Sequence, residues 1–396
     1  MSPAWLIIVV ASLLAVGSLL RLLLTALGVR AATLLPLLAE LELPAPARWP
    51  RVSIVIPACD EAPTIEAALH SKLSQDYLDL EIVVVDDRSS DETGAVVDRL
   101  AAADKRLRVL HIRDLPQGWL GKVNALDQGM AHVTGDWVLL SDADVFLARS
   151  TIRQAVAYAE HRNLDFLTLL PGFSPVSLAV DAGIIDLVRS LLPVLQLKRD
   201  GSAESKPGAG GGAFMFLRRS AYQRTAGLQH LRMEVIDDMA LGQMMKESGA
   251  RCGVANGRDL VKLAFYTSFS DFARGAERAF ASVGRCDLWR LLLFACATSF
   301  VNLAPFLLLV APWPASLRAA GALVAALDIA GSVWISRAIG GRMAPALLAP
   351  IGTLITAALL VRSAWLAAWR GGIRWRGTLY RTAELRAGMR YRFPWT

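Results

Sequence analysis

The sequence predicts an α/β domain built on a mainly parallel sheet and joined to membrane-spanning and interfacial helices. Two observations predict this. Four apolar runs, Val52-Ser-Ile-Val-Ile56, Glu81-Ile-Val-Val-Val85, the weaker residues 108–112 and Trp137-Val-Leu-Leu140, are separated by segments long enough for helices. Buried strands alternating with helices mark a parallel sheet covered on both faces. The chain is also 54% hydrophobic and only 19% charged over 396 residues, too apolar for one ordinary soluble domain, and its apolar residues collect in long stretches.

Taken in order, residues 5–29 are nearly all apolar, broken by Arg21 and small residues. That length crosses a hydrocarbon core of about 30 Å. Only Met, Ser and Pro precede residue 4, with no basic region and no crisp small-residue cleavage site, so we expect an uncleaved anchor rather than a signal peptide. Arg30, Arg48 and Arg51 follow it and place the next domain in the cytoplasm by the positive-inside tendency. The first strand ends at Pro57 ahead of Asp60-Glu61, the second runs into Asp86-Asp87, and the Trp137 run leads to Leu140-Ser-Asp-Ala-Asp-Val145. Ser89-Ser-Asp-Glu92 reads as a capping box opening a helix toward Ala103, and Ser150 as the cap of another through His161.

Ligands of open α/β sheets bind outside the carboxyl ends of the strands, which is where these three acidic pairs fall. Magnesium and similar hard cations take oxygen ligands, commonly one or two carboxylates plus substrate phosphates. Asp142 and Asp144 therefore predict Mg2+ or Mn2+ with a nucleotide diphosphate, the bland alternative being a solvated turn. No GxGxxG follows the first strand and no Walker A sequence is present, which disfavours a dinucleotide redox enzyme or a P-loop ATPase. Cys59, Cys252, Cys286 and Cys296 form no CxxC pair and the five histidines no ligand spacing, so zinc and disulfide roles are not expected.

Residues 180–197 are apolar with Asp181, Asp186 and Arg189 at helical spacing, either an amphipathic helix on the membrane or a core helix. The run 201–212 reads as a mobile loop whose last glycines allow close backbone approach to a substrate. Asp237 and Asp238 precede a helical run over 239–247, where capping would stabilise by roughly 1 kcal/mol.

Three more apolar stretches follow, residues 289–313, 315–339 and 343–369. Three full crossings would carry the tail outside, yet residues 370–396 hold seven arginines, Arg370, Arg374, Arg376, Arg381, Arg386, Arg390 and Arg392, against Glu384 alone. Such a segment belongs on the cytoplasmic side near anionic headgroups. We therefore expect one stretch to be re-entrant or interfacial, namely 343–369, which contains Pro345, Pro350 and Gly352. Trp375, Tyr380, Tyr391, Phe393 and Trp395 add interfacial aromatics to the tail, and no nucleic-acid motif accompanies its charge.

Five motifs in this order, Pro57-Ala-Cys-Asp-Glu61, Val83-Val-Val-Asp-Asp87, Gly121-Lys122 with Asn124-Ala-Leu126, Asp142-Ala-Asp144 and Ile236-Asp-Asp-Met-Ala-Leu241, resemble family 2 glycosyltransferases of the GT-A fold, a Rossmann-like architecture. The resemblance covers roughly residues 51–285. Gly118-Trp119, Gly121-Lys122, the glycine run before Ala213-Phe-Met-Phe216 and the Ile-Asp-Asp form are similar to the lipid-glycosylating branch, including hopanoid-associated and carotenoid glycosyltransferases, with ceramide glucosyltransferases more distant.

The resemblance implies that Glu61 and Asp87 contact the nucleoside, with Asp60 and Asp86 as neighbours able to shape the turns. It implies that Asp144 is the main metal ligand, that Asp142 lies near ribose or metal, and that Lys122 faces the diphosphate or nucleoside. Asp238 aligns with the family's base aspartate, and Asp237 stands where the family often has Glu. Processive synthases of the family carry Gln-x-x-Arg-Trp after the base, where this chain has Arg274-Gly-Ala-Glu-Arg-Ala-Phe280. Arg278 matches the motif's arginine but the Gln and Trp are missing, and Arg274 and Arg278 are left as candidates for diphosphate or anionic headgroups.

The expected activity is an inverting, metal-dependent transfer of one sugar from a nucleotide-sugar, with a UDP-sugar the expected donor, to a membrane lipid hydroxyl. The alternatives are a processive polysaccharide synthase, a nucleotidyltransferase, which lacks its Gly-rich first loop here, and a catalytically silent scaffold. The expected organisation is an anchor over 1–30, a cytoplasmic GT-A domain over 50–288, membrane helices over 289–369 and a basic, aromatic interfacial tail over 370–396.

Overall fold

The computed structural model describes residues 3–193, 210–310 and 312–392. It opens on a 32-residue helix, α1 (Pro3–Leu34). The apolar runs that follow become β1 (Val52–Ala58), β2 (Leu80–Asp87), β3 (Leu107–Ile112) and β4 (Trp137–Leu140), all parallel. Parallel neighbours need crossovers, which α2 (Ala62–Leu73), α3 (Thr93–Ala103) and α4 (Gly121–Met130) provide. Past β4, the strands β5 (Phe146–Leu147), β6 (Phe166–Phe173), β7 (Met215–Arg218) and β8 (Cys252–Leu263) complete an eight-stranded sheet in the order β3-β2-β1-β4-β7-β6-β8-β5. Here β7 runs antiparallel to both β4 and β6, and β5 antiparallel to β8.

Side chains alternate across this sheet and feed two cores. Ile54, Ile56, Ile82 and Val84 pack with Ile65 and Leu69 of α2, Val97 of α3, and Ile152 and Val156 of α5 (Thr151–His161). Val55, Val83 and Val85 pack with Val123 and Leu126 of α4 on the other face. Trp137 is fully buried, stacks on Phe216 with centroids 4.5 Å apart, and donates from Nε1 to Glu160 at 2.8 Å.

Both expected caps differ in detail. Asp60, rather than a capping box, takes the Ser90 N–H, while Asp91 Oδ1 accepts from Thr93 N at 2.9 Å. Ser150 precedes α5, but its hydroxyl meets Gln154 Nε2 instead of a backbone N–H.

The remaining helices are α6 (Leu178–Leu191), the short α7 (Arg219–Tyr222) and α8 (Gly227–His230), α9 (Asp237–Glu247), α10 (Phe269–Val283), α11 (Leu288–Val310), α12 (Ala315–Ala338), α13 (Met343–Leu347) and α14 (Ala349–Arg370). Four helices are long and apolar enough to cross a membrane, over Ile7–Leu34, Leu288–Val310, Ala315–Ala338 and Ala349–Arg370. Small residues let α1, α11 and α12 approach, Gly17 lying against Ala304 and Gly331 against Thr25.

A buried ionic network runs through them. Arg21 donates to Asp328 at 2.6 Å and to Asn302 at 3.0 Å, and Asp328 also accepts from Thr25 and, at 2.9 Å, from Arg189 of α6. Arg189 continues to Asp186 and Thr353. The polar positions of α6 are therefore buried against other helices, not laid on water, and residues 194–197 lie outside the described residues.

The segment expected to kink or re-enter forms two helices broken at Leu348, α13 with Pro345 and α14 with Pro350 in its first turn, where proline is tolerated. Both ends of this segment are tied to helices of the sheet domain: Arg342 pairs with Asp181 of α6, and Arg370 meets Glu277 of α10 at 2.8 Å.

The chain then forms the antiparallel pair β9 (Gly372–Trp375) and β10 (Thr378–Arg381) and the helix α15 (Thr382–Gly388). The tail does not lie as an exposed interfacial strip. Tyr380, Leu385, Met389 and Tyr391 are buried in the core beneath α4 and α9, because Glu234 accepts the backbone N–H groups of Arg390 and Tyr391 and pins the segment to the domain. Phe393 and Trp395 lie outside the described residues.

Trp137→Ala would leave a large void against the Phe216 ring, and we expect it to lower stability by about 3–5 kcal/mol, read as the denaturant midpoint of the detergent-solubilised protein.

Candidate active site

Parallel register brings three strand ends to one edge. Ala58 pairs with Asp86 and Val55 with Leu140, so Asp60-Glu61, Asp86-Asp87 and the Asp142/Asp144 pair leave the sheet together. Lys122, in the first turn of α4, donates to Asp142 at 2.8 Å and lies 3.6 Å from Asp237 of α9. Burial alone would lower its ammonium; Asp142, Asp237 and Asp238 more than offset this and hold it above the ordinary lysine value. Asp237 is 4% exposed, and its Oδ2 has no hydrogen-bond partner. Burial pushes its carboxyl up to about 7 despite Lys122. Asp144 is pushed up to about 6, first by burial and then by the charges of Asp142 and Glu61.

Asp238 is oriented by backbone. Its Oδ2 accepts from Gly212 N at 2.9 Å and its Oδ1 from Met239 N at 2.7 Å. The acids belong to the first turn of α9, whose cap is Ile236, so the helix begins two residues earlier than the sequence pattern indicates. The Gly212 carbonyl in turn accepts from Asp142 N at 3.3 Å. The glycine run thus threads between Asp142 and Asp238. A Cβ on Gly210 would stand 1.7 Å from the Asp238 carbonyl oxygen, and one on Gly212 2.9 Å from Asp142 Oδ2. The close approach is to the chain's own acids; residues 201–209 lie outside the described residues.

The other candidates divide. Asp60, at φ 53, spends its carboxylate on Ser90 N and Oγ and so shapes the turn. Asp86 bonds His111 Nδ1 at 2.8 Å, and Asp87 is gripped by Arg88 at 2.8 and 3.0 Å. Glu61 pairs with Arg376 of the distant tail. Arg278 sits over the Trp375 ring at 4.8 Å. Arg274 is not brought to the cluster: it is exposed and turned back to Ser270 and Asp271, one turn earlier on its own helix.

Two contributors escaped the motifs. Lys72 of α2 is fully buried beneath the Asp-x-Asp turn and donates to the Val145 carbonyl; burial lowers its ammonium to about 7 while Asp144 and Asp142 pull the other way. Arg376 comes from the far end of the chain. A lysine in an amphipathic helix ordinarily reads as solvated, and nothing local in the sequence marks either residue.

Among the described residues no group of three His, Cys, Asp or Glu side chains could hold a metal ion. The donor set nonetheless fits a hard cation that takes its remaining oxygens from phosphate and water: Asp142 and Asp144 are neighbouring acids, Asp144 is raised first by burial and then by the Asp142 charge, and a divalent charge would offset both.

Two expectations follow from this geometry. Gly210→Ala must displace the start of α9, and should lower activity without abolishing folding, read by comparing turnover with the melting temperature. His111 is raised above its ordinary value by hydrogen bonds to Asp86 and then Asp98. A raised group stabilises fully below its unfolded pKa of about 6.5 and loses that contribution as pH rises through the folded value. The melting-temperature gap between wild type and His111→Gln should therefore shrink between roughly pH 6 and pH 8.

With this geometry in view, the comparisons are direct. Residues 53–224 match the family described as Glycosyl transferase family 2. The chain is 38% identical over 108 residues to the GalNAc(5)-diNAcBac-PP-undecaprenol beta-1,3-glucosyltransferase of Campylobacter jejuni, spanning 26% of this chain and 34% of that protein. It is 30% identical over 118 residues to the uncharacterized glycosyltransferase EpsJ of Bacillus subtilis, spanning 30% of this chain and 33% of the relative. The matches thus cover about a third of these curated relatives. In fold it is similar to a mannosyltransferase of Pyrobaculum calidifontis solved in complex with GDP-Man and Mn2+, at 19% identity and TM-score 0.54, over 91% of this chain and 99% of that one. The acidic strand ends and the Asp-x-Asp turn therefore lie within the segment that matches glycosyl transferase family 2, on a GT-A-like sheet.

Proposed function

We propose that the protein is a membrane-embedded, inverting glycosyltransferase that moves a single sugar from a nucleotide-sugar, a UDP-sugar in the expected case, to a hydroxyl of a membrane lipid. The observation that carries this reading is the placement of Asp238 across the glycine run from the Asp-x-Asp turn, both tied to Gly212. The domain beside it stands on helices long and apolar enough for a membrane. A relative named for an undecaprenol-linked substrate supports a lipid-linked acceptor.

In this reading Asp144 and Asp142 hold Mg2+ or Mn2+, which supplies positive charge for the departing diphosphate. Glu61 and Asp87 meet the nucleoside, with Asp60 and Asp86 shaping the turns under it. Lys122 and Arg278 face the diphosphate. Each Asp238 oxygen accepts one backbone N–H and keeps a lone pair, so the carboxylate is held in place with capacity to accept the acceptor's proton. As that proton transfers, the acceptor oxygen forms a bond to the anomeric carbon, and the bond from that carbon to the phosphate oxygen breaks on the opposite face, its electron pair leaving with the nucleoside diphosphate. Asp237, buried beneath, fixes Lys122. Residues 1–30 serve as the anchor, 50–288 as the cytoplasmic catalytic domain, 289–369 as membrane helices and 370–396 as a tail on the cytoplasmic side. Missing Gln and Trp after the base support one transfer per acceptor over processive synthesis.

The test supplies membranes containing the protein with UDP- and GDP-sugars, Mg2+ or Mn2+ and extracted lipids. We expect sugar in the lipid fraction, abolished by a chelator, and turnover reduced about 10²–10⁴-fold by Asp238→Asn with donor binding retained. Turnover unaffected by Asp238→Asn would overturn the base assignment, and sugar found in a growing polymer would favour the processive alternative.

A further inference from the structure

The turn between β9 and β10 enters the acidic edge from the end of the chain. Trp375-Arg376-Gly377-Thr378 is a two-residue hairpin turn with both central residues at positive φ, Arg376 at 46° and Gly377 at 78°. Such turns favour Asn or Gly at the first central position. An arginine there is conformationally disfavoured, and strained residues that persist are characteristically held by function. Its guanidinium donates to the Cys59 carbonyl and pairs with Glu61, fastening both sides of the turn that holds Asp60.

The residue before it is equally placed. Trp375 stacks on the Arg278 guanidinium, and among the described residues no carboxylate lies within ion-pair distance of Arg278. A half-buried guanidinium, braced by an aromatic face and lacking an internal anion, leaves its fork of donors for an anionic ligand. The hairpin is itself fixed, since Ile373 and Tyr380 are buried in the core under α4.

We propose that the β9–β10 hairpin is a wall of the donor site: Arg376 is a positioning residue for Glu61, and Trp375 for Arg278, whose guanidinium binds the diphosphate of a nucleoside diphosphate. This rests on the reading above of a nucleotide-sugar site. The tail arginine acts on the nucleotide, not on lipid headgroups.

The test is binding of UDP and of GDP, each with Mn2+, to the full-length protein in detergent, beside steady-state kinetics. Arg376→Ala and Trp375→Ala should each weaken nucleotide binding and raise donor KM about tenfold or more, the loss expected for a charge-assisted contact, with acceptor KM unchanged. Arg376→Lys, which keeps the charge and serves where the alanine variant does not fold, should recover part of the loss. In a Glu61→Gln background Arg376→Ala should cost little further, as expected of a residue acting through Glu61. Unchanged nucleotide affinity in folded Arg376→Ala and Trp375→Ala proteins would overturn the proposal while leaving the transferase reading intact. Wild-type protein that binds neither nucleotide would overturn both.

Discussion

Carboxylates gathered at the ends of parallel strands repel one another, and much of the fold around them is arranged to hold them there. Asp142 is met by Lys122, Asp87 by Arg88, Glu61 by Arg376 and Asp86 by His111. Asp144 has Lys72 buried nearby, and Asp60 is satisfied by Ser90. The partners come from α2, α4, β3, the turn after β2 and the final hairpin, so these elements are fixed relative to one another by charge as well as by packing. Asp237 is compensated less fully: its buried Oδ2 accepts no hydrogen bond and meets Lys122 only at 3.6 Å, and its carboxyl is raised. Incomplete compensation at a cleft is what a binding site looks like before its ligand's charges are added.

The same principle operates in the apolar part of the molecule on a different scale. Arg21, Asp328, Arg189 and Asp186 form a two-plus-two network whose members are almost wholly buried. Breaking one partner would strand a charge, so the network specifies a single arrangement of α1, α12, α6 and α14 even where its net gain in stability is small. Because α6 and α10 also pack on α14, the helices beside the sheet are joined directly to the helices of the bundle.

Legibility in the sequence followed locality. β1 to β4 could be read because Val and Ile fill them and turn residues bound them, and the acids at their ends could be read because parallel strands share an edge. β6 and β8 escaped notice: Pro171 and Gly172 interrupt one, and Asn256, Gly257, Arg258 and Asp259 break the hydrophobic pattern of the other, their pairing being decided by tertiary neighbours. Asp237 and Asp238 were found through their motif, but the glycine contacts that orient Asp238 depend on how residues 210–212 are threaded. Lys72 carries no local signal in the sequence, and its burial depends on the Asp-x-Asp turn settling over α2. The tail aromatics were assigned to the membrane surface because composition alone does not distinguish an interface from the side of a neighbouring domain.

The pairing of Glu61 with Arg376 joins residues 315 positions apart, and this separation has a consequence for synthesis. A nascent chain on the ribosome presents the sheet, the Asp-x-Asp turn and the α9 acids long before the hairpin exists. Until α14 has been made and seated, the acidic edge lacks Arg376 and Arg278 lacks its aromatic support. Completion of the acidic edge thereby waits on the last apolar helices, and on the proposed reading an intermediate that already has α1 holds the carboxylates without the hairpin's grip on a donor.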